Sequence, residues 1–292
     1  MRTPRHYVAL TVAGVVAIAA VVVGINTANA STTASSDTPT TRVVDATAKQ
    51  AKHAGKKPTI VLVHGAFADG SGWNGTIERL RKDKYPVVAF ANPLQGPTSD
   101  VATLKSFLKT IDGPVILVGH SYGGVLISGA GAGNSHVKGL VYVAAYAPDK
   151  GETVGEVNMH PVAHPIPELP LVEVPVKNSA GQKDALLYIK PAKFPAFFAA
   201  DVRSTLAKDM AATQRPVAGS GFDQPIRAAA WRSIPSWYLV AKQDKALNPE
   251  LQRYMAKRAH AHTVESNGSH AIMVSHPRTV AKLIKAADHR TR

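Results

Sequence analysis

The sequence predicts an α/β protein: a mostly parallel, doubly wound sheet with a cap inserted between the fourth and fifth predicted strands. Three observations predict it. Short apolar runs alternate with stretches of helical periodicity, the pattern of βαβ units in a parallel sheet covered on both faces. The runs are continuously apolar rather than alternating, as strands buried on both faces are. One interval, about Pro148 to Pro235, breaks the rhythm: it is irregular, proline-rich and too long for a plain loop, so it reads as a cap or lid folded over one edge of the sheet.

The elements follow in order. Thr59–Val63 is a run rich in β-branched residues and predicts the first strand. It ends in His64-Gly65-Ala66. Trp73 to Lys82 has helical spacing, with Trp73, Ile77 and Leu80 on one face. Val87–Phe90 is a second strand. Ser99 to Ile111 is a helix, with Val101, Leu104, Leu108 and Ile111 on one side. Val115–Val118 is a third strand running straight into Gly119-His120-Ser121-Tyr122-Gly123, and Leu126 to Ala132 continues as a small-residue helix. Leu140–Ala144 is the fourth strand. In the interval that follows, five prolines between His160 and Pro175 argue against any regular strand or helix there. Lys193 to Met210 reads as one helix carrying Phe194, Phe197 and Phe198, expected to line an apolar pocket or, alternatively, to pack the cap on the sheet. Trp237–Val240 is the fifth strand, with a helix after Pro249. His262–Glu265 is a short sixth strand, and Pro277 to Ala287 a closing helix.

The 292 residues include no cysteine, which excludes a disulfide framework, a thiolate metal site and a cysteine nucleophile. Arg2, Arg5 and His6 precede an uncharged apolar stretch, Val8 to Ile25, and then Ala28-Asn29-Ala30, a small-x-small signal-peptidase pattern. Residues 1–30 are therefore expected to be an export signal removed after Ala30, and the protein secreted; the alternative is a retained membrane anchor. Residues 31–57, rich in Ser, Thr, Ala and Lys, are expected to be a flexible linker, and 58–292 the folded domain, with the cap at about 148–235. The formal charge of +14 falls to +12 without Arg2 and Arg5. That balance favours electrostatic association with an anionic cell envelope. The basic residues are scattered and carry no nucleic-acid motif, so no specific nucleic-acid partner is expected.

The chemistry centres on Gly119-His120-Ser121-Tyr122-Gly123, a G-x-S-x-G in the strand–turn–helix setting that a nucleophile elbow requires. The serine must sit on a turn sharp enough to strain its backbone, so that Oγ projects above the sheet. Gly119 and Gly123 remove side chains where strand and helix nearly touch. The turn also places Ser121 at a helix N-terminus, which favours a developing negative charge. A serine needs a base, and the base an orienting acid, in chain order Ser, Asp or Glu, His. Asp244 follows the Trp237–Val240 strand, and His270 in Gly268-Ser269-His270 follows the His262–Glu265 strand. Both fall at the carboxyl ends of parallel strands, where such sheets build sites. His276 is the rival base, but Pro277 makes it a helix-start residue. His160 and His164 have i, i+4 spacing, but the prolines deny them the helix that would let them bind a metal. Two backbone N–H groups should hold the oxyanion: Tyr122, next to the nucleophile, and Ala66, on a loop that Gly65 lets approach closely. His64 and Trp73 read as structural.

His64-Gly65-Ala66…Trp73, Gly-His-Ser-Tyr-Gly-Gly, Asp244-Lys245 with the Pro249-Glu250-Leu251-Gln252-Arg253 helix, and Gly-Ser-His270 together resemble the α/β-hydrolase superfamily over about residues 58–288. Within it, the chain is similar to the branch of plant methyl-ester esterases and hydroxynitrile lyases with their bacterial secreted relatives. The lyases of that branch carry Thr where this sequence has Gly65, and Lys where it has Ala271. The resemblance therefore implies ester hydrolysis: a small-molecule carboxylic ester cleaved through an acyl-enzyme, with no metal and no organic cofactor required. Lyase, haloperoxidase or C–C hydrolase chemistry on the same three residues, and a non-catalytic envelope-binding role, are the competing readings. The sequence carries no signal of oligomeric state.

Overall fold

The computed structural model describes residues 56–292; the expected export signal, and the linker as far as residue 55, lie outside them. Six strands form one sheet in the order β2-β1-β3-β4-β8-β9: β1 (Thr59–Val63), β2 (Val87–Phe90), β3 (Val115–His120), β4 (Val137–Val143), β8 (Ser236–Ala241) and β9 (His262–Ser266). Every pairing in it is parallel. The doubly wound sheet predicted from the alternating runs is the one observed. Its two faces explain why the runs of the central strands are apolar, whereas the edge strand β9 is exposed. Ile60, Leu62, Ile116, Val118, Val141, Val143, Trp237 and Leu239 point to one side, where α1 (Asn74–Lys82), the short α8 (Ile272–Ser275) and α9 (Pro277–Thr291) cover them with Leu80, Ile272, Val280, Leu283 and Ile284. Val61, Val63, Leu117, Leu140, Tyr142, Tyr238 and Val240 point to the other, under α2 (Pro97–Leu108), α3 (Gly123–Gly131) and α7 (Pro249–Arg258).

Because all six strands run the same way, the loops after β1, β3, β8 and β9 emerge at one edge, and the chain between β4 and β8 departs from that edge. This interval holds α4 (Val154–Asn158), a three-stranded antiparallel sheet of β5 (Leu171–Lys177), β6 (Lys183–Ile189) and β7 (Val217–Ala218), and two short helices, α5 (Phe194–Phe198) and α6 (Ser204–Thr213). α4 starts at a capping box, with Thr153 and Glu156 each bonding the other's backbone.

Two expectations are corrected here. The prolines do not exclude a strand: β5 forms and contains Pro175. It is an edge strand paired only with β6, so the missing N–H of Pro175 can face away from the partner strand. The single helix expected from Lys193 to Met210 is two, broken at Ala199–Arg203 where the chain turns. Between them the Phe198 carbonyl is diverted to outside partners, accepting from Ala271 N–H at 2.8 Å and Ser269 Oγ at 3.2 Å.

Candidate active site

β3 ends at His120, and Ser121 stands between strand and helix with φ +53°. A serine held in the left-handed region is strained, and the surroundings enforce it. Ser121 N–H donates to Val143 O, and Ser121 O accepts from Tyr146 and Gly124. The glycines are required by contact. A Cβ on Gly119 would lie 2.7 Å from the Gly123 backbone, and one on Gly123 would lie 2.3 Å from Val63 O.

The three predicted side chains meet although they are far apart in sequence. His270 Nε2 lies 2.8 Å from Ser121 Oγ, and His270 Nδ1 lies 2.7 Å from Asp244 Oδ2. All three are buried. The acid loop and the histidine loop are stitched together by Lys242 N–H to Ser266 O and Gln243 N–H to Gly268 O. Asp244 Oδ1 accepts from the Ala246 and Leu247 amides at 2.8 and 2.9 Å, and Oδ2 also accepts from Gln252 Nε2 at 2.8 Å. The donors to both oxygens satisfy the buried carboxylate, as a buried charge requires.

His270 is held from behind by residues that sequence reasoning missed. His120 is fully buried, and burial followed by the neighbouring His270 keeps its pKa well below the usual histidine value. It is therefore neutral, and its Nε2–H donates to His270 O at 2.9 Å. Phe198 packs its edge on the His270 ring at 4.8 Å. The elbow motif contains His120, but nothing local marks Phe198 or Gln252.

On the oxyanion side, a Cβ on Gly65 would lie 2.6 Å from Ser121 Cβ and 3.1 Å from Tyr122 N, so the β1 loop rests directly on the elbow. Among the described residues neither the Ala66 nor the Tyr122 N–H has a hydrogen-bond partner, whereas Phe67 N–H donates to Arg215 O at 3.0 Å. His64 anchors this loop. Burial lowers its pKa, Nδ1–H donates to Gly65 O, and Nε2 accepts from Asn92 N–H at 3.1 Å. Trp73 is buried against the other face of the sheet. Tyr122 OH donates to the buried Asp100 at 2.9 Å, and burial raises the pKa values of both groups. His276 occupies the N-cap position of α9, and its Nδ1 lies 2.9 Å from Ser275 Oγ and 3.4 Å from Asp201 Oδ2. His164 pairs with Glu250, and His160 stacks on Tyr254.

Ser121 and His270 open into a cavity of about 530 Å³ whose floor is Ala66, Phe67 and Tyr122. Its roof comes from the β4–β8 interval: Val162, Pro165 to Leu169, Leu171, Leu187 and Phe222. Phe194, Phe197 and Phe198, expected to line an apolar pocket, are absent from its wall. Phe194 and Phe198 stack on each other at 4.7 Å as packing beneath the histidine loop. The helix that presents them turns its apolar face to the sheet domain, and the prolines form the roof instead. The size is that of a small-molecule site. Among the described residues the wall carries one carboxylate, Glu168, besides the His270 imidazole. Tyr146 OH donates to Asn158 there, and burial pushes the phenol up to about 12. Among the described residues no group of three His, Cys, Asp or Glu could hold a metal, and no helix is long and apolar enough to cross a membrane.

Comparison with known proteins gives a consistent picture. Residues 60–283 match the model of an alpha/beta hydrolase family. The alpha/beta hydrolase nvfD of Aspergillus novofumigatus is 31% identical over 261 residues, 79% of this chain and 96% of that protein. Esterase PIR7B of Oryza sativa subsp. japonica is 26% identical over 263 residues, covering 80% of this chain and 96% of the esterase. The crystal structure of polyneuridine aldehyde esterase superposes with a TM-score of 0.69 at 19% identity, over 80% of this chain and all of the other.

Proposed function

This chain belongs to the alpha/beta hydrolase family, and from that premise we propose that it hydrolyses carboxylic esters of small, partly apolar molecules, with Ser121 as nucleophile, His270 as general base and acid, and Asp244 as the orienting acid. The observation that carries the proposal is the pair of contacts made by one imidazole, 2.8 Å to Ser121 Oγ and 2.7 Å to the buried Asp244. Relatives named as esterases support the bond type.

The reaction runs in two steps. His270 Nε2 takes the Ser121 proton as Oγ attacks the ester carbonyl. Asp244 keeps the hydrogen on Nδ1, so that Nε2 is free to accept. The Ala66 and Tyr122 amides receive the tetrahedral oxyanion. His270 returns the proton to the leaving alcohol, then activates a water that releases the acid and regenerates Ser121. The segment about 148–235 serves as a cap that gives the cavity its apolar wall. Residues 1–30 serve export, with cleavage after Ala30, and the net positive charge favours adsorption to an anionic envelope.

A lyase that stabilises cyanide needs a cation beside the serine. Ala271 occupies the place of that lysine, and no Lys or Arg is on the cavity wall among the described residues. Purified protein assayed on p-nitrophenyl esters of graded chain length tests the reading. Turnover and fluorophosphonate labelling, both abolished by Ser121→Ala, are expected. Ester turnover that survives Ser121→Ala, or cyanohydrin cleavage without ester turnover, overturns it. Mass measurement of the exported protein, expected to begin at Ser31, tests the export signal.

A further inference from the structure

Asp244 shares its catalytic oxygen with a side chain that has no proton to lose. Gln252, on α7, is fully buried. Its Nε2 donates to Asp244 Oδ2 at 2.8 Å and to Leu247 O at 2.8 Å, and its Oε1 accepts from Ala241 N–H at 3.0 Å. These partners fix the orientation of the amide. Flipping it would set oxygen against the Asp244 and Leu247 oxygens, and nitrogen against an N–H, so all three contacts would become repulsive. One side chain thus spans the acid loop, from the end of β8 at Ala241 through Asp244 to Leu247, where no regular secondary structure holds the chain.

We propose that Gln252 is a positioning residue of the reaction, fixing the Asp244 carboxylate in the orientation that aims Oδ2 at His270 Nδ1. The inference rests on the reading of Ser121, His270 and Asp244 as the hydrolytic machinery. The terminal torsion of an aspartate is broad and roughly two-fold, so its own rotamer preference does not choose an oxygen. The Ala246 and Leu247 amides hold Oδ1. Gln252 is the donor that holds Oδ2 in place while the imidazole opposite gains and loses its proton. An apolar residue of similar size would fill the same space, so the donor on Oδ2 serves something other than packing α7 on the sheet. It also leaves Oδ2 acceptor-only, with no second acid to compete for the hydrogen on His270 Nδ1.

The test compares wild type, Gln252→Met, Gln252→Glu and Ser121→Ala on p-nitrophenyl butyrate across a pH series, with thermal unfolding measured alongside. Gln252→Met, which keeps volume and removes all three hydrogen bonds, is expected to lower kcat about 10- to 100-fold with KM changed less than about twofold, the lost bond to the charged Asp244 setting the scale. In Gln252→Glu the bond from Ala241 N–H is kept. The new carboxyl holds a proton because burial and the neighbouring Asp244 both disfavour its charge; that single proton donates to Oδ2, while the bond to Leu247 O is lost as it is in Gln252→Met. The other titratable or charged groups facing the loop are His270, Tyr146 and Tyr238 on the inner side and Lys242, Lys245, His164, Glu250 and Arg253 on the outer, and none of them differs between the variants. Gln252→Glu should therefore stay within about threefold of wild type at acid pH and fall away from it as pH rises and the new carboxyl ionises. A purely structural role would depress both variants alike at every pH. Gln252→Met with kcat within twofold of wild type, or Gln252→Glu parallel to wild type or to Gln252→Met throughout the series, overturns the proposal. If Gln252→Met does not fold, the pH course of Gln252→Glu decides alone. Turnover that survives Ser121→Ala overturns the hydrolytic reading itself, and the positioning role with it.

Discussion

Gly65→Ala should disable the oxyanion loop while leaving substrate affinity largely intact. The added methyl carbon would stand 2.6 Å from Ser121 Cβ and 2.8 Å from His120 O. Neither neighbour can swing aside, because one is the first atom of the Ser121 side chain and the other is backbone of β3. Relaxed carbon–carbon contacts lie at about 3.5–4.0 Å, so the loop must retreat from the elbow by about 1 Å. Ala66 moves with it, and its N–H leaves the position where the oxyanion forms. A displacement of that size costs about 10²-fold, and the loss of one oxyanion donor about 10²- to 10³-fold in kcat. Of the cavity wall only the floor residues Ala66 and Phe67 move with the loop, and the roof from the β4–β8 interval is untouched, so KM should change far less than kcat. Overpacking should cost about 1–3 kcal/mol of stability, so denaturant unfolding is measured together with the kinetics. Gly72→Ala is the control. Its Cβ would meet Met273 Cε at 3.1 Å, the end of a flexible side chain that can yield, and kcat should be unchanged. A folded Gly65→Ala protein with kcat within threefold of wild type would refute the assignment of Ala66 to the oxyanion hole.

Other perturbations read different parts of the design. Phe198→Ala removes a fully buried ring from beneath His270, and should cost about 3–5 kcal/mol in chemical denaturation and lower kcat through a looser imidazole. Buried His64 and His120 both have pKa values below the unfolded value of 6.5, so the unfolded chain takes up their protons first as pH falls. Stability from this source is whole above that pH and declines below it, by up to about 1.4 kcal/mol per unit for each histidine, until the folded-state values are reached. Urea midpoints at neutral and mildly acidic pH check this, and a midpoint that rises on acidification contradicts it. Glu250→Ala releases the roof segment, which Glu250 holds through the Ala163 N–H and through His164. Faster proteolytic cleavage between residues 160 and 170 is expected with kcat little changed; an unaltered cleavage rate argues against the clasp.

The sheet and the candidate site were legible to different depths. The central strands announce themselves because a strand covered on both faces must be apolar at every position, and Thr59–Val63 or Val115–Val118 can be read without neighbours; the edge strand β9, His-Thr-Val-Glu-Ser, is exposed and is not such a run. The elbow is legible because its glycines answer a local demand: no Cβ fits where β3 meets α3. The β4–β8 interval was less legible. Proline in β5 is acceptable only because that strand lies at an edge, which is a property of the sheet and not of the residues. The three phenylalanines at 194–198 carry no mark that distinguishes packing under a histidine loop from lining a pocket.

The sequence by itself determined the fold class, the turn that lifts Ser121 above the sheet, and the two strand ends from which Asp244 and His270 extend. A parallel sheet sends all such ends to one edge, so their meeting follows from topology. Only the tertiary structure decided the distances, the roof of the cavity and the supporting residues His120, Phe198 and Gln252. Contacts that join residues 149 or 26 positions apart depend on strand order and on how loops pack against one another. Local periodicity reports whether a residue is buried; it contains no information about which distant side chain it is buried against.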